Sequence, residues 1–416
     1  MQSRLLHSTL FLACLLLLSA CQDSPSHATL TGHLVLPADT FTPGPAVGAA
    51  LPPEINGRQL PLTSPPVQGF SSLVKLPDDH WLALQDNGFG TLANSPDFPL
   101  QFFELDLDFP NDKVKVIGVT AITDPNGLLG FPHAHQHDQG ALYGNDLDPE
   151  SCVRLNDGTL WIGDEFGPFL LPVDADGKVL GPAVPIPVIF QLADHARGTT
   201  VLRTPDHPDL RHLATEEERL AAANLPRSGG IEGLARTPDG SRLYASVEKP
   251  MLDDPIKDRR VILEFDPAQA TFTGRSWLYR TDDPGVSIAS LEAYSSTVLL
   301  VLERDGDQGA EAVIKRIYRI DLEDADPAGY LHKTLVCDLL DIADPAGITS
   351  AAPGIVGFGP VFSFPFVTPE CLVILDDHTL MVANDNNYPF STGRRPPSTP
   401  DDNEFARLQL PRSLGD

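Results

Sequence analysis

Acidic side chains recur at one end of a repeated sequence frame, a pattern that favours binding of a hard cation. Each copy of the frame is an apolar run, a turn rich in Asp, Gly or His, and a second apolar run. The five copies start at Ser71, Glu150, Glu232, Glu292 and Glu370. The acids at their ends are Glu150, Asp164, Glu165, Glu232, Glu248, Glu292, Glu303, Asp305, Glu370 and Asp385, with Asp86 and Asn386 as further oxygen donors. Oxygen ligands without cysteine suit Ca²⁺ better than Mg²⁺ or Mn²⁺.

Two apolar runs joined by turns such as Asn-Asp-Gly predict a β-hairpin in each copy. Residue numbers of antiparallel partners have a constant sum. Pairing Leu155 with Leu160 therefore puts Glu150 opposite Glu165, with Asp164 beside it. Directly opposed like charges destabilise a sheet, so a shared cation explains the whole set better than chance. Any single acid has an equally good alternative role, capping a strand end or binding loop amides.

The repeated hairpins predict an all-β protein, a β-propeller with inserted loops. A further apolar segment with alternating pattern follows each hairpin, as a third strand per blade would. We expect six blades, the sixth around residues 335–340. Residues 28–36 and 405–410 are expected to complete one blade together. Thr215 and Glu218 predict a capping box on one short helical insertion. In this fold the first strand of each hairpin lines the central channel, and the acidic ends converge at one mouth.

Charge limits the possible partners. The chain has 416 residues, 57 acids against 29 bases and a formal net charge of −28. Because binding to a phosphate backbone needs a basic surface, this balance argues against nucleic acid as a partner. The same field repels a small anionic substrate unless bound cations reverse it locally. An anionic substrate would therefore need a metal at the site.

The first 21 residues predict a lipoprotein signal peptide. Arg4 is followed by an apolar run at 10–18 that is too short to span a membrane as a normal helix. Leu-Ser-Ala-Cys at 18–21 resembles a bacterial lipobox, so we expect cleavage before Cys21 and lipidation of its thiol. Residues 22–416 would then be one propeller domain anchored to the cell envelope, at the periplasmic face of the outer membrane. An ordinary signal peptide and a secreted protein are the alternative.

Cysteine and histidine offer little further chemistry. Cys152, Cys337 and Cys371 permit at most one disulfide, and buried free thiols are the better expectation. The stretch FPHAHQHDQG places His133, His135 and His137 at alternate positions, which would share one face of a strand. Its flanking proline and glycine favour a loop instead, where the alternation carries no metal-binding signal.

Four stretches, taken together, resemble a known family. They are DPESCVRLNDGTLWIGDEFGPF, GGIEGLARTPDGSRLYASVEKP, SIASLEAYSSTVLLVLERD and VANDNNYPFSTGRRPPSTPDDNEF. In combination they are similar to the phytase-like family, labelled "esterase-like activity of phytase", and the resemblance covers residues 68–410. The first copy of the frame departs from the pattern, because Ser71 stands where other copies have glutamate.

The resemblance implies a phosphoric ester hydrolase with metal-assisted attack of water at the acidic channel mouth. Ca²⁺ would neutralise the substrate phosphate, and one carboxylate would act as general base. The expected catalytic residues are Glu150, Glu232, Glu292, Arg304 and Lys249, the two bases steadying charge on the phosphoryl group. The expected metal ligands are Asp86, Asp164, Glu165, Glu248, Glu303, Asp305, Glu370, Asp385 and Asn386.

Other interpretations stay open at this point. Arg304 and Lys249 could equally be salt-bridge partners that hold the acids in place. A single-calcium propeller lactonase or carboxylesterase, and a non-catalytic metal-stabilised binding lipoprotein, are the alternative functions. The expected partner is a small phosphorylated anion, with membrane contact only through the lipid anchor and no partner protein.

Overall fold

Short apolar runs separated by tight turns build the fold, as the alternation of the sequence predicts. The computed structural model describes residues 27–133 and 138–416. Cys21 and the predicted signal peptide lie outside these residues, as do His135 and His137. The first elements are β1 (Thr29–Leu36), β2 (Glu54–Ile55) and β3 (Arg58–Gln59).

Four sheets of four antiparallel strands follow along the chain. Blade one is β4 (Phe70–Lys75), β5 (Trp81–Gln85), β6 (Gln101–Asp108) and β7 (Lys113–Ala121). Blade two is β8 (Pro149–Arg154), β9 (Leu160–Asp164), β10 (Phe169–Val173) and β11 (Val184–Pro185). Blade three is β12 (Ile231–Arg236), β13 (Leu243–Val247), β14 (Arg259–Asp266) and β15 (Thr271–Arg280). Blade four is β16 (Ser287–Ala293), β17 (Val298–Arg304), β18 (Lys315–Ala325) and β19 (Leu331–Asp338).

Blade five joins the two ends of the chain. Its strands are β20 (Ile342–Ala343), β21 (Val361–Phe362), β22 (Thr368–Asp376), β23 (Thr379–Asp385) and β24 (Asn403–Gln409), together with β1. Strand β1 pairs antiparallel with β24, from Thr29 opposite Gln409 to Leu36 opposite Asn403. The prediction that the N-terminal and C-terminal strands complete one blade is confirmed.

The described part of the chain is a five-bladed β-propeller, so the prediction of six blades was wrong. The innermost strands β4, β8, β12, β16 and β22 contact one another in that order, and β22 returns to β4. The segment expected to hold a sixth blade, 335–340, overlaps β19 instead. That strand pairs with β18 as the outermost strand of blade four. Long loops between the hairpins widened the repeat spacing without adding a blade.

Helical structure is confined to short connections between strands. The α-helix α1 (Glu216–Ala222) has Thr215 as its N-cap, and Glu218 completes the predicted capping box. The short 3₁₀ segments are Phe109–Asn111, Asp138–Gly140, Phe190–His195, Pro208–Leu210 and Gly309–Glu311. Among the described residues, no helix has the length and apolar character needed to cross a membrane.

Apolar side chains packed between neighbouring blades form the core. Between blades two and three, Trp161 meets Phe265 edge to face with ring centroids 4.8 Å apart. Gly163 lets the two inner hairpins approach closely, because a Cβ there would lie 2.5 Å from Cγ2 of Ile231. The three cysteines beyond Cys21 are buried free thiols, as expected.

Candidate functional site

A β-bulge interrupts the inner strand of every blade near the same end. The register shifts fall between Phe70 and Ser72, Pro149 and Ser151, Ile231 and Gly233, Ile288 and Ser290, and Pro369 and Cys371. The residues skipped by pairing, here termed the bulge ring, are Ser71, Glu150, Glu232, Ala289 and Glu370. A bulge re-aims its side chain out of the alternating pattern. Three glutamates are thereby brought together at one mouth of the channel.

A second set of side chains follows the neighbouring strand at the same level. Each of these residues pairs with the residue two positions before the bulge-ring residue of its blade. This set, here termed the end ring, is Asp86, Glu165, Glu248, Arg304 and Asp385. Four of the five blades contribute an acid here, and blade four contributes arginine. The two rings together form the acidic mouth.

Carboxylate oxygens in the acidic mouth approach within 4.8 Å of one another in three overlapping groups. The blade-two group is Asp148, Glu150 and Glu165; the central group is Glu150, Glu232 and Glu370; the blade-three group is Glu165, Glu232 and Glu248. Each pair of groups shares one glutamate, so the groups form a continuous cluster. Such spacing allows one cation to contact several oxygens at once.

Asp148 is a member of this cluster that the sequence interpretation missed. Its Oδ2 accepts a hydrogen bond from Nδ2 of Asn87 at 2.7 Å, and its Oδ1 accepts one from the Asn87 backbone N–H at 3.1 Å. Asn87 therefore holds this carboxylate from blade one. The available signal was an acid two residues before Glu150, a position held by Gly69 in the first copy and Gly230 in the third.

Arg304 lies against the glutamates of the mouth. Its Nη2 donates to Oε1 of Glu232 at 3.0 Å and to Oε1 of Glu370 at 3.2 Å, and lies 3.6 Å from Oε1 of Glu248. Lys249 sits at the rim, about one third exposed, with Nζ 3.5 Å from Oε2 of Glu248. Both bases therefore pair with acids, which is one of the two alternatives left open by the sequence.

Burial makes ionisation of the cluster unfavourable. It raises the pKa of Glu150 well above its usual range, and neighbouring Asp148 and Glu232 raise it further. Burial and then Glu248 raise the pKa of Glu232 to about 8, although Arg304 opposes the shift. Burial also raises the pKa values of Asp148 and Asp385 to about 6. Full ionisation of the mouth therefore requires positive charge beyond its own bases.

The donor set fits a hard divalent cation. Among the described residues, eight carboxylates compose the mouth against two bases. The carboxylates are Asp86, Asp148, Glu150, Glu165, Glu232, Glu248, Glu370 and Asp385, and all of the donors are oxygens. Oε2 of Glu248 is buried and accepts no hydrogen bond, and the base paired with it among the described residues is Lys249 at 3.5 Å. Such chemistry suits Ca²⁺.

Three predicted metal ligands serve structural contacts instead. Asp164 accepts from the backbone N–H groups of Asp148 at 2.8 Å and of Gly167 at 2.6 Å, and so positions Asp148. Glu303 is fully buried and accepts from Tyr279 and Lys333, each at 2.5 Å. Asp305 pairs with Lys315 at 2.8 Å and accepts from two loop amides. None of the three belongs to the clustered groups of the described chain.

Four further predicted residues lie outside the clustered groups: Asp86 and Asp385, which belong to the end ring, and Glu292 and Asn386, which do not. Glu292 sits three positions beyond the blade-four bulge, opposite Leu300, so Ala289 and not Glu292 is the counterpart of Glu232. Burial raises the pKa of Glu292 to about 8 while nearby Arg236 lowers it. Asn386 donates from Nδ2 to a backbone carbonyl at 2.9 Å, and its buried Oδ1 accepts no hydrogen bond.

The predicted hairpin register was wrong by one residue. Leu160 pairs with Arg154 and not with Leu155, so Pro149 lies opposite Asp164 and Glu150 falls in the bulge. The acids still converge, but through bulges and strand ends and not as directly opposed pairs. His133, the one described member of its histidine set, contacts Asp124 at 3.1 Å.

The fold and site define a β-propeller with a carboxylate-rich channel mouth. The chain belongs to the phytase-like family, described as "Esterase-like activity of phytase", which matches residues 65–388. This description supports a hydrolase in general terms.

More distant similarities accompany this membership. An "Uncharacterized secreted protein" of Arthroderma benhamiae is 23% identical over 193 residues, which are 39% of this chain and 37% of that protein. A protein of unknown function from Dyadobacter fermentans matches with a TM-score of 0.43 and 12% identity, over 93% of this chain and 100% of its own. A luciferin-regenerating enzyme matches with a TM-score of 0.35 and 12% identity, over 81% of this chain and 76% of its own.

Proposed function

We propose that this protein is a metal-dependent phosphoric ester hydrolase whose reaction takes place at the acidic mouth. The observation that carries the proposal is the cluster of six carboxylates in overlapping groups, three of them placed there by bulges in three different blades. Family membership supports hydrolysis of an ester bond. The excess of acid supports a cation cofactor, because such a site repels phosphate on its own.

Different residues of the mouth would bind the cation, position its ligands and bind the phosphate. Asp148, Glu150 and Glu165 would hold Ca²⁺, and Asp164 and Asn87 fix Asp148 in place. When bound, the cation supplies positive charge that attracts the phosphate and polarises its oxygens. Lys249, the more exposed base, offers a donor to the phosphate at the rim.

Glu150 is the residue we assign as general base. Unlike Glu232 and Glu370 of the same ring, which bond Arg304, it forms no ion pair with a base among the described residues. A carboxylate that no base neutralises can accept the proton of the attacking water. The charge-stabilising role first expected of Arg304 is replaced by a role in holding these two glutamates.

We also propose an extracytoplasmic location with a lipid anchor at Cys21. The sequence of residues 18–21 supports it, and a distant relative is described as secreted. Metabolic labelling with a radioactive fatty acid tests the anchor. The wild-type protein is expected to be labelled, and Cys21→Ser is expected to lose the label.

The test of function is phosphate release from phytate and from simple phosphomonoesters and phosphodiesters. The purified protein is assayed with Ca²⁺ and with a chelator, beside Glu150→Gln and Asp148→Asn. Release is expected only with Ca²⁺, with each variant at least 100-fold slower. Glu264→Gln is the control, because Glu264 is a buried glutamate that bonds Thr273 and Arg275 on blade three, outside the mouth. Turnover of a lactone or carboxylic ester without phosphate release would contradict the proposed substrate class.

A further inference from the structure

Blade four breaks the acidic pattern of the mouth at both of its positions. In the bulge ring it places Ala289 where three blades place glutamate, and in the end ring it places Arg304 where the four other blades place an acid. The sector of the mouth that faces blade four therefore carries a fixed positive charge. A mouth built only to collect cations would not need one.

The guanidinium of Arg304 occupies the position that a second cation would take. It bonds Glu232 and Glu370, two of the three acids in the central group, and lies 3.6 Å from Glu248 of the blade-three group. Only 13% of its side chain is exposed, and its Nε is buried with no hydrogen-bond partner. The ion pairs of Arg304 with these glutamates are therefore buried at the centre of the cluster.

The blade-two group has no such counterion. Among the described residues, no lysine, arginine or histidine forms an ion pair with Asp148, Glu150 or Glu165. On its flank, an oxygen of Glu248 lies within 4.8 Å of one of Glu165, and Oε2 of Glu248 is buried without a hydrogen bond. Three carboxylates thus lie close together with no base of the described chain paired to any of them.

We propose that Arg304 is a built-in cation that fills one half of the acidic mouth, so that the protein binds a single divalent cation, at the blade-two group. Arg304 is thus a positioning residue that sets metal stoichiometry and orients Glu232 and Glu370. The inference rests on the proposed function only in requiring a cation at this mouth, and it concerns how many are bound.

The test is the number of Ca²⁺ ions bound, measured by calorimetric titration of the metal-free protein without substrate. The wild-type protein is expected to bind one. Arg304→Gln removes the fixed charge and is expected to bind two, whereas Arg304→Lys keeps the charge and is expected to bind one. A wild-type count of two, or no increase in Arg304→Gln, would overturn the inference.

A second pair of variants decides the matter if Arg304→Gln does not fold. Asp148→Asn is expected to weaken calcium binding at least 100-fold, whereas Glu370→Gln, on the arginine side, is expected to keep one ion with less than a 10-fold loss. Equal losses of calcium affinity in the two variants would contradict the assignment of the ion to the blade-two group. The inference and the proposed function fail separately: one bound calcium with no phosphate release removes the hydrolase alone, and phosphate release with two bound ions removes the inference alone.

Discussion

Replacing Glu232 by glutamine is expected to stabilise the metal-free protein at alkaline pH, although it removes a partner of Arg304. Burial and Glu248 raise the pKa of Glu232 from 4.5 to about 8 in the folded protein. Between these two values the folded state holds a proton that the unfolded state releases. Stability of the wild-type protein therefore falls as the pH rises through this window and is level above it.

The size of the effect follows from the shift. Each pKa unit corresponds to about 1.4 kcal/mol, so ionising Glu232 in the metal-free fold costs on the order of 5 kcal/mol over the full window. Between pH 5.5 and pH 8.5 the expected cost is about 3 kcal/mol. Glutamine does not titrate and avoids this loss. Arg304 keeps Glu370 and Glu248 as partners in the variant.

The assay is thermal unfolding in chelator at pH 5.5 and pH 8.5. In a large domain 1 kcal/mol corresponds to roughly 2 °C, so the midpoint of Glu232→Gln should gain about 6 °C on that of the wild type between the two pH values. Excess Ca²⁺ at pH 8.5 should raise both midpoints by mass action, because the proposed calcium ligands of blade two are intact in both proteins. A gap between the two proteins that is independent of pH in chelator would refute the reasoning.

Three other perturbations address the scaffold. Glu303→Gln should lower the free energy of unfolding by about 3 kcal/mol, because Lys333 loses a buried carboxylate, while calcium titration stays unchanged; denaturant unfolding and calorimetry check both. Gly163→Ala should cost about 1–3 kcal/mol in the same unfolding assay, since its Cβ would press on Ile231. Deleting β1 should leave β24 as an open edge and yield aggregated protein by size-exclusion chromatography, whereas trimming residues 1–21 should not.

The repeated frame predicted the propeller because hairpin turns and alternating strands are local signals. The number of blades, in contrast, depends on which strands pair, and local sequence does not determine this. Strand β19 resembles the start of another repeat, and only its pairing with β18 assigns it to blade four. Likewise, the need to close a ring predicted that β1 and β24 share a blade, but it did not predict their register from Thr29 to Leu36.

The sequence predicted most of the acids that form the site but not how they are placed, because a β-bulge has no signal in the sequence. A bulge adds one residue to one strand without changing composition, so pairing from Leu155 gave the right neighbourhood and the wrong register. In blade four the repeated frame was placed three residues too far along the chain, so Glu292 was predicted where Ala289 lies. Asp148 was not predicted, because its position depends on a hydrogen bond from Asn87, 61 residues earlier in the chain.

The pairing of β1 with β24 has a consequence for biosynthesis. The first strand to be made has its partner at the far end of the chain, up to 380 residues later, from Thr29 to Gln409. Until β24 is made, β1 lacks this partner and β23 lacks one of its two neighbours. A prematurely terminated chain is therefore expected to expose unpaired strand edges in blade five and to aggregate or be degraded. Loss of a few C-terminal residues would thus also affect the N-terminal strand.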